Sequence, residues 1–62
     1  MEKPIKILGE EITQEDFPAL YRWAKVNPQG LEAVIKRTSE RNNEPIGTTM
    51  AIMESEYQTD NS

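Results

Sequence analysis

The sequence predicts a small α+β domain, ordered strand–helix–helix–strand, with a sharp corner between the helices. Three observations point to it. Residues 4–8 alternate Ile5 and Ile7 with Lys6, the two-residue period of a strand. Two stretches on either side of Asn27 and Pro28 carry apolar residues at helical spacing, as amphipathic helices do. Residues 46–53, Ile-Gly-Thr-Thr-Met-Ala-Ile-Met, offer a second alternating segment, and one short strand is not stable without a neighbour. The runner-up is a three-helix domain in which residues 49–57 are helical, since Met50, Met53 and Tyr57 would line one side of a helix and Met, Ala and Glu favour it.

Pro4 is compatible with the start of an edge strand, and Gly9, Glu10 and Glu11 read as the turn that follows. The first helix is expected within residues 13–27. If Thr13 capped it, Pro18 would fall where its missing N–H breaks an intrahelical bond. Asp16 is therefore the preferred cap, after a short turn from residue 13, with Phe17 and Pro18 in the first two helical positions, where no such bond is required. Phe17, Leu20, Tyr21 and Ala24 then form one apolar stripe, while Ala19, Trp23 and Val26 form a second on another side of the same helix. Asn27 and Pro28 end that helix, because a residue before proline is pushed out of the helical region. Asn27 then caps the next helix, with Pro28 at its first position. The second helix runs to about Arg41 with Leu31, Val34, Ile35 and Thr38 inward. Asn42, Asn43 and Pro45 close it. Residues 1–54 are expected to be the single domain, and residues 55–62 a flexible polar tail.

Composition narrows the function classes. The chain has 62 residues, 7 basic and 11 acidic, with no Cys and no His. A chain of this size buries roughly 60% of its unfolded surface, which leaves little room for both a core and a catalytic cleft. Without Cys there are no disulfides, thiolate metal sites or thiol nucleophiles, and without His the usual general base is missing. The three glycines are isolated, so no phosphate-cradling loop is present. The acidic residues lack the spacing of a calcium loop. No catalytic residue, metal site or cofactor is expected, and the chain is read as a non-enzyme. A mean hydropathy of −0.75 and the polar residues after Leu8 argue against a membrane span or a signal sequence, so a complete small cytoplasmic gene product is expected. Short chains of this kind are common among accessory proteins of bacteria and their viruses.

Charge is segregated along the chain. Residues 1–21 carry a net −3, residues 22–41 a net +3 and residues 42–62 a net −4. Lys25, Lys36, Arg37 and Arg41 therefore form a candidate nucleic-acid contact on a helix–corner–helix unit. Glu32 and Glu40 interrupt that face, and the acidic ends would repel a polyanion over about 8–10 Å. Ordinary solvation of two helices accounts for the same residues, with Glu32–Lys36 and Lys36–Glu40 spaced to interact along the surface. The acidic residues Glu10, Glu11, Glu15 and Asp16 also admit a nucleic-acid mimic, although negative charge near a helix start is common without any such role.

Trp23 is the most informative residue. Tryptophan buries a large apolar area and is enriched at interface hot spots. Ala19, Trp23 and Val26 are either a protein-binding patch or the side of the helix that packs beneath the strands, and the sequence leaves both open. The expected function is a protein-binding or regulatory module that acts by stoichiometric association through this apolar face. A helix-turn-helix-like DNA-binding regulator is the first alternative. A passive assembly subunit is another. Because conformational entropy nearly cancels burial in so small a chain, a homodimer is expected, with a further protein partner of unknown identity.

Overall fold

Residues 5–12 close on themselves. In the computed structural model, which describes the backbone of residues 3–60 and the side chains of residues 3–58, β1 (Ile5–Ile7) and β2 (Glu10–Ile12) pair as an antiparallel hairpin. Ile5 stands opposite Ile12, Lys6 opposite Glu11 and Ile7 opposite Glu10. Side chains alternate across a strand, so Ile5, Ile7 and Ile12 share one face while Lys6 and Glu11 share the other, where opposite charges favour the pairing. Leu8 and Gly9 form the connection with φ of 53° and 82°. A two-residue loop with both φ values positive matches the right-handed twist of the strands. Glycine adopts this conformation freely, whereas Leu8 is strained there. Its half-buried side chain packs against the core, which offsets part of that cost.

Three helices follow: α1 (Pro18–Val26), α2 (Pro28–Asn42) and α3 (Ile46–Asp60). The architecture is a hairpin followed by three packed helices, and this corrects the strand–helix–helix–strand order expected from the sequence. The neighbour of residues 4–8 is not residues 46–53 but the segment read as their turn. Residues 46–53 are helical because Ile46, Met50, Met53 and Tyr57 recur on one side of α3, with Met50 and Met53 fully enclosed. That spacing outweighs the shorter alternation once the segment is followed to Tyr57. The third helix of the runner-up arrangement is present but longer, and the hairpin stands in front of it. Residues 55–60, expected in a polar tail, continue α3, while residues 61–62 lie outside the described part.

Each helix end has its own chemistry. Asn27 closes α1 through its N–H, donated to the Trp23 carbonyl at 2.8 Å, and opens α2 by accepting the Gly30 N–H on its side-chain oxygen at 3.0 Å. Pro28 supplies a first position that needs no donor. A Cβ on Gly30 would lie 2.6 Å from the Asn27 side-chain nitrogen, so glycine is what allows the cap to fold over the first turn. At the other end of α2, Asn43 takes a left-handed conformation and donates its N–H to the Glu40 carbonyl at 3.3 Å, and the Glu44 N–H returns to the Ser39 carbonyl at 3.0 Å. Both bonds absorb carbonyls that the helix leaves open.

The start of α1 departs from the sequence expectation. Asp16 is not its cap. Thr13 instead organises a turn ahead of the helix, accepting the Asp16 N–H on its hydroxyl at 3.1 Å and the Phe17 N–H on its carbonyl at 2.8 Å. Phe17 occupies the cap position, where its side chain has no acceptor to offer. The donors of the first turn go elsewhere: the Ala19 and Leu20 N–H groups each donate to a carboxylate oxygen of Glu54, both at 3.0 Å. Glu54 lies on α3, is 6% exposed, and also accepts a bond from the Gln58 amide.

The core consists of Ile7, Ile12, Leu20, Tyr21, Ala24, Leu31, Ile35, Met50 and Met53. Every pair of helices is in contact, and β1 lies against α1. The Tyr21 hydroxyl donates to the Lys3 carbonyl at 2.8 Å, tying the segment that leads into the hairpin to α1. Thr49 is fully buried and satisfied by Glu44 at 2.8 Å. Among the described residues, no buried side-chain polar atom lacks a partner, as native interiors require.

Two stability measurements follow. Glu54→Ala should lower the unfolding free energy by about 3 kcal/mol in a urea titration, because it strips two donors at a helix start and opens a cavity. Glu54→Gln, which keeps the shape and one oxygen, should cost about half as much. In a double-mutant cycle, Gly30→Ala made on an Asn27→Ala background should stabilise α2 by about 0.5–1 kcal/mol, the usual glycine-to-alanine gain. The same change with Asn27 present should gain nothing, because it displaces the cap.

Candidate functional site

α1 is nine residues long, Pro-Ala-Leu-Tyr-Arg-Trp-Ala-Lys-Val, with two cations and no acid. Leu20, Tyr21 and Ala24 are buried. Residues turn by about 100° each along a helix, so Arg22 and Val26 project from the side opposite this buried arc, Lys25 flanks it beside Tyr21, and all three are exposed. Ala19 and Trp23 lie on one shoulder of the outward face. Tyr21 occupies the other.

The three residues predicted as a protein-binding patch therefore have different surroundings. Val26 is 85% exposed, the most open of the large apolar residues described. Ala19 is half-buried and gives its backbone N–H to Glu54. Trp23 is also half-buried: its indole packs on the core and meets the Tyr57 ring edge-on, with centroids 5.6 Å apart and planes at 60°. That arrangement matches the preferred geometry of aromatic pairs. The neighbour of Trp23 is thus α3 rather than a pair of strands, and Val26 stands clear of both. Tyr57 was absent from the sequence-derived site because it lies far along the chain. Its position four residues beyond Met53 on the inward side of α3 was the available signal.

The candidate nucleic-acid residues are spread over two elements. Lys36, Arg37 and Arg41 are exposed on α2, where Glu32 and Glu40 are exposed beside them. Lys25 lies on α1 with its ammonium 5.7 Å from the Tyr21 ring centroid, within reach of a cation–π interaction. It lines an open-sided depression of about 250 Å³ together with Gln14, Pro18, Tyr21 and Arg22. None of the α2 cations belongs to that set. Arg22, which the sequence reading did not single out, thus joins Lys25 as a cation of the α1 surface.

Among the described residues, no group of three or more acidic side chains is placed to hold a metal ion. Among the same residues, no helix is long and apolar enough to cross a membrane. Compared with protein-family models, curated proteins and solved structures, the chain gives no significant match. The other exposed large apolar residue described, Ile52 at 46%, lies on the outer side of α3, away from the α1 face by its helical position.

Energetically, Trp23 and Val26 should separate cleanly. Trp23→Ala should destabilise the domain by about 2 kcal/mol, less than for a fully enclosed tryptophan, and Val26→Ala by less than about 0.5 kcal/mol. Combining Trp23→Ala with Tyr57→Ala should reveal a coupling of about 0.5–1.5 kcal/mol in thermal unfolding.

Proposed function

We propose that the protein is a cytoplasmic protein-binding module that acts stoichiometrically, without chemistry of its own, through the outward face of α1. The observation that carries this is Val26, 85% exposed on a short helix whose neighbouring Trp23 and Ala19 already have one side in the domain. Covering a valine side chain from full exposure contributes about 1.5–2 kcal/mol, and a half-buried tryptophan beside it adds area at little entropic cost. Tryptophan is among the residues enriched at interface hot spots.

The occupant is another protein rather than a second copy. A twofold dimer through α1 with its axis near Arg22 would set that cation, and Lys25 beside it, close to their own copies. Like charges meeting across an interface cost affinity. The hairpin edge remains a separate route to self-association, but its strands are three residues each, and short strands are poor templates for pairing.

Val26→Glu tests this reading because the site is exposed and the fold should tolerate the change. The purified variant should keep the unfolding midpoint of the wild type within about 0.5 kcal/mol. Immobilised wild-type protein should retain a stoichiometric partner from an extract of the producing cell, Val26→Glu should lose it, and Ile52→Glu should keep it. Equal retention by all three proteins, or loss only with Ile52→Glu, would remove α1 as the contact surface.

A further inference from the structure

The outward face of α1 is more selective than an apolar knob. Arg22 and Val26 are four residues apart, one above the other on the helix surface, with Cβ atoms about 5–6 Å apart. Lys25 adjoins both. Arg22 and Lys25 also line the depression with Gln14, Pro18 and Tyr21, so two cations, an amide and an aromatic wall border a space beside the apolar contact. All of this stands on a helix without a single acid, in a chain whose net charge is −4.

Resting on the protein-binding reading above, we propose that this face takes an acidic segment of a partner protein, with one carboxylate seated at Arg22 and Lys25 and one apolar side chain laid on Val26. Charge complementarity selects this occupant. A guanidinium matches a carboxylate with two parallel bonds, while an ammonium contributes a point charge. Gln14 supplies a neutral donor at the rim. The separation between the cations and Val26 fixes the spacing in the partner. An acid and an apolar residue two apart on an extended segment, at about 3.3 Å per residue, or three to four apart on a helix, would reach both points together.

A nucleic-acid strand fits less well. Glu15 and Asp16 are exposed in the turn just before α1, close in sequence to Gln14, and would face the next phosphate of any strand laid along the helix. Val26 would gain nothing from a phosphate. A short protein segment can place one acid at the cations and present neutral residues to that turn.

The direct experiment is selection of twelve-residue peptides from a random displayed library against the full-length protein, followed by anisotropy titrations of the enriched peptides. Enriched sequences should carry Asp or Glu two to four residues from Leu, Ile, Phe or Trp. Their binding should weaken at least tenfold in the Arg22→Glu/Lys25→Glu double variant and severalfold in Arg22→Glu alone. Replacing the peptide acid by lysine should restore binding to the double variant and lose it with the wild type. Circular dichroism and unfolding midpoints should show all variants folded, and the Arg22→Glu variant carries the test if the double variant is not. Enrichment of basic or uncharged sequences, no enrichment at all, full affinity in the charge-reversed proteins, or tighter binding of a dT12 oligonucleotide would overturn the proposal. Charge reversal without effect, combined with loss of binding in Val26→Asp, would remove the acidic partner and leave the apolar contact standing. Sensitivity to Ile52→Glu alone would remove both.

Discussion

The first turn of α1 cannot satisfy its own donors, and the rest of the domain is arranged around the carboxylate that does. Four N–H groups stand open at any helix start. Here the Phe17 N–H goes back to Thr13, Pro18 has none, and the Ala19 and Leu20 N–H groups reach Glu54, 35 and 34 residues further along the chain. A helix of nine residues is too short to persist alone. It persists because a buried carboxylate from α3 closes its positive end, where an anion is favoured, and because Leu20, Tyr21 and Ala24 are enclosed. Bonds to a charged group contribute about 1.5–3 kcal/mol each, a large share of what stabilises a domain this small.

That constraint also shapes the surface. Once Glu54 fixes the start of α1 against α3, the next turn of each helix brings Trp23 edge-on to Tyr57. Tyr21, on the opposite shoulder, is pinned to the Lys3 carbonyl. With both shoulders held, Arg22 and Val26 have nowhere to project but outward, and Lys25 extends beside the Tyr21 ring. The outward face is therefore what remains of α1 after its cap and its two aromatic residues have been placed.

The parts of this fold governed by neighbours in sequence were legible, and those governed by distant partners were not. Asn27 with Pro28, and Asn43 with Pro45, carry their helix-ending and helix-starting chemistry within a few residues, so the corner and the end of α2 could be read directly. The stripe Ala19, Trp23, Val26 followed from helical spacing alone. The hairpin was missed because Leu8 occupies a left-handed position where Asn, Asp or Gly is the usual signal, leaving Gly9 as half a motif. Residues 46–53 alternate well enough to pass for a strand, and only the wider spacing through Tyr57 reveals α3. Asp16 was a plausible cap by local chemistry. The true acceptor, Glu54, had no local signature, and neither did the meeting of Trp23 with Tyr57. Arg22 was legible as a charge, but its place beside Lys25 and Val26 became meaningful only when the buried side of α1 was known.

The most direct measurement is native-state hydrogen exchange at the Ala19 and Leu20 amides, compared between the wild type and Glu54→Gln. First-turn amides bonded only to water exchange at nearly the rate of an unstructured chain. Donation to a buried carboxylate should instead protect both to nearly the level of the Leu31 and Ile35 amides, with that protection falling selectively in Glu54→Gln. Rapid exchange of Ala19 and Leu20 in the wild type, while α2 remains protected, would show that α1 is not held by α3 and would contradict the arrangement on which its outward face depends.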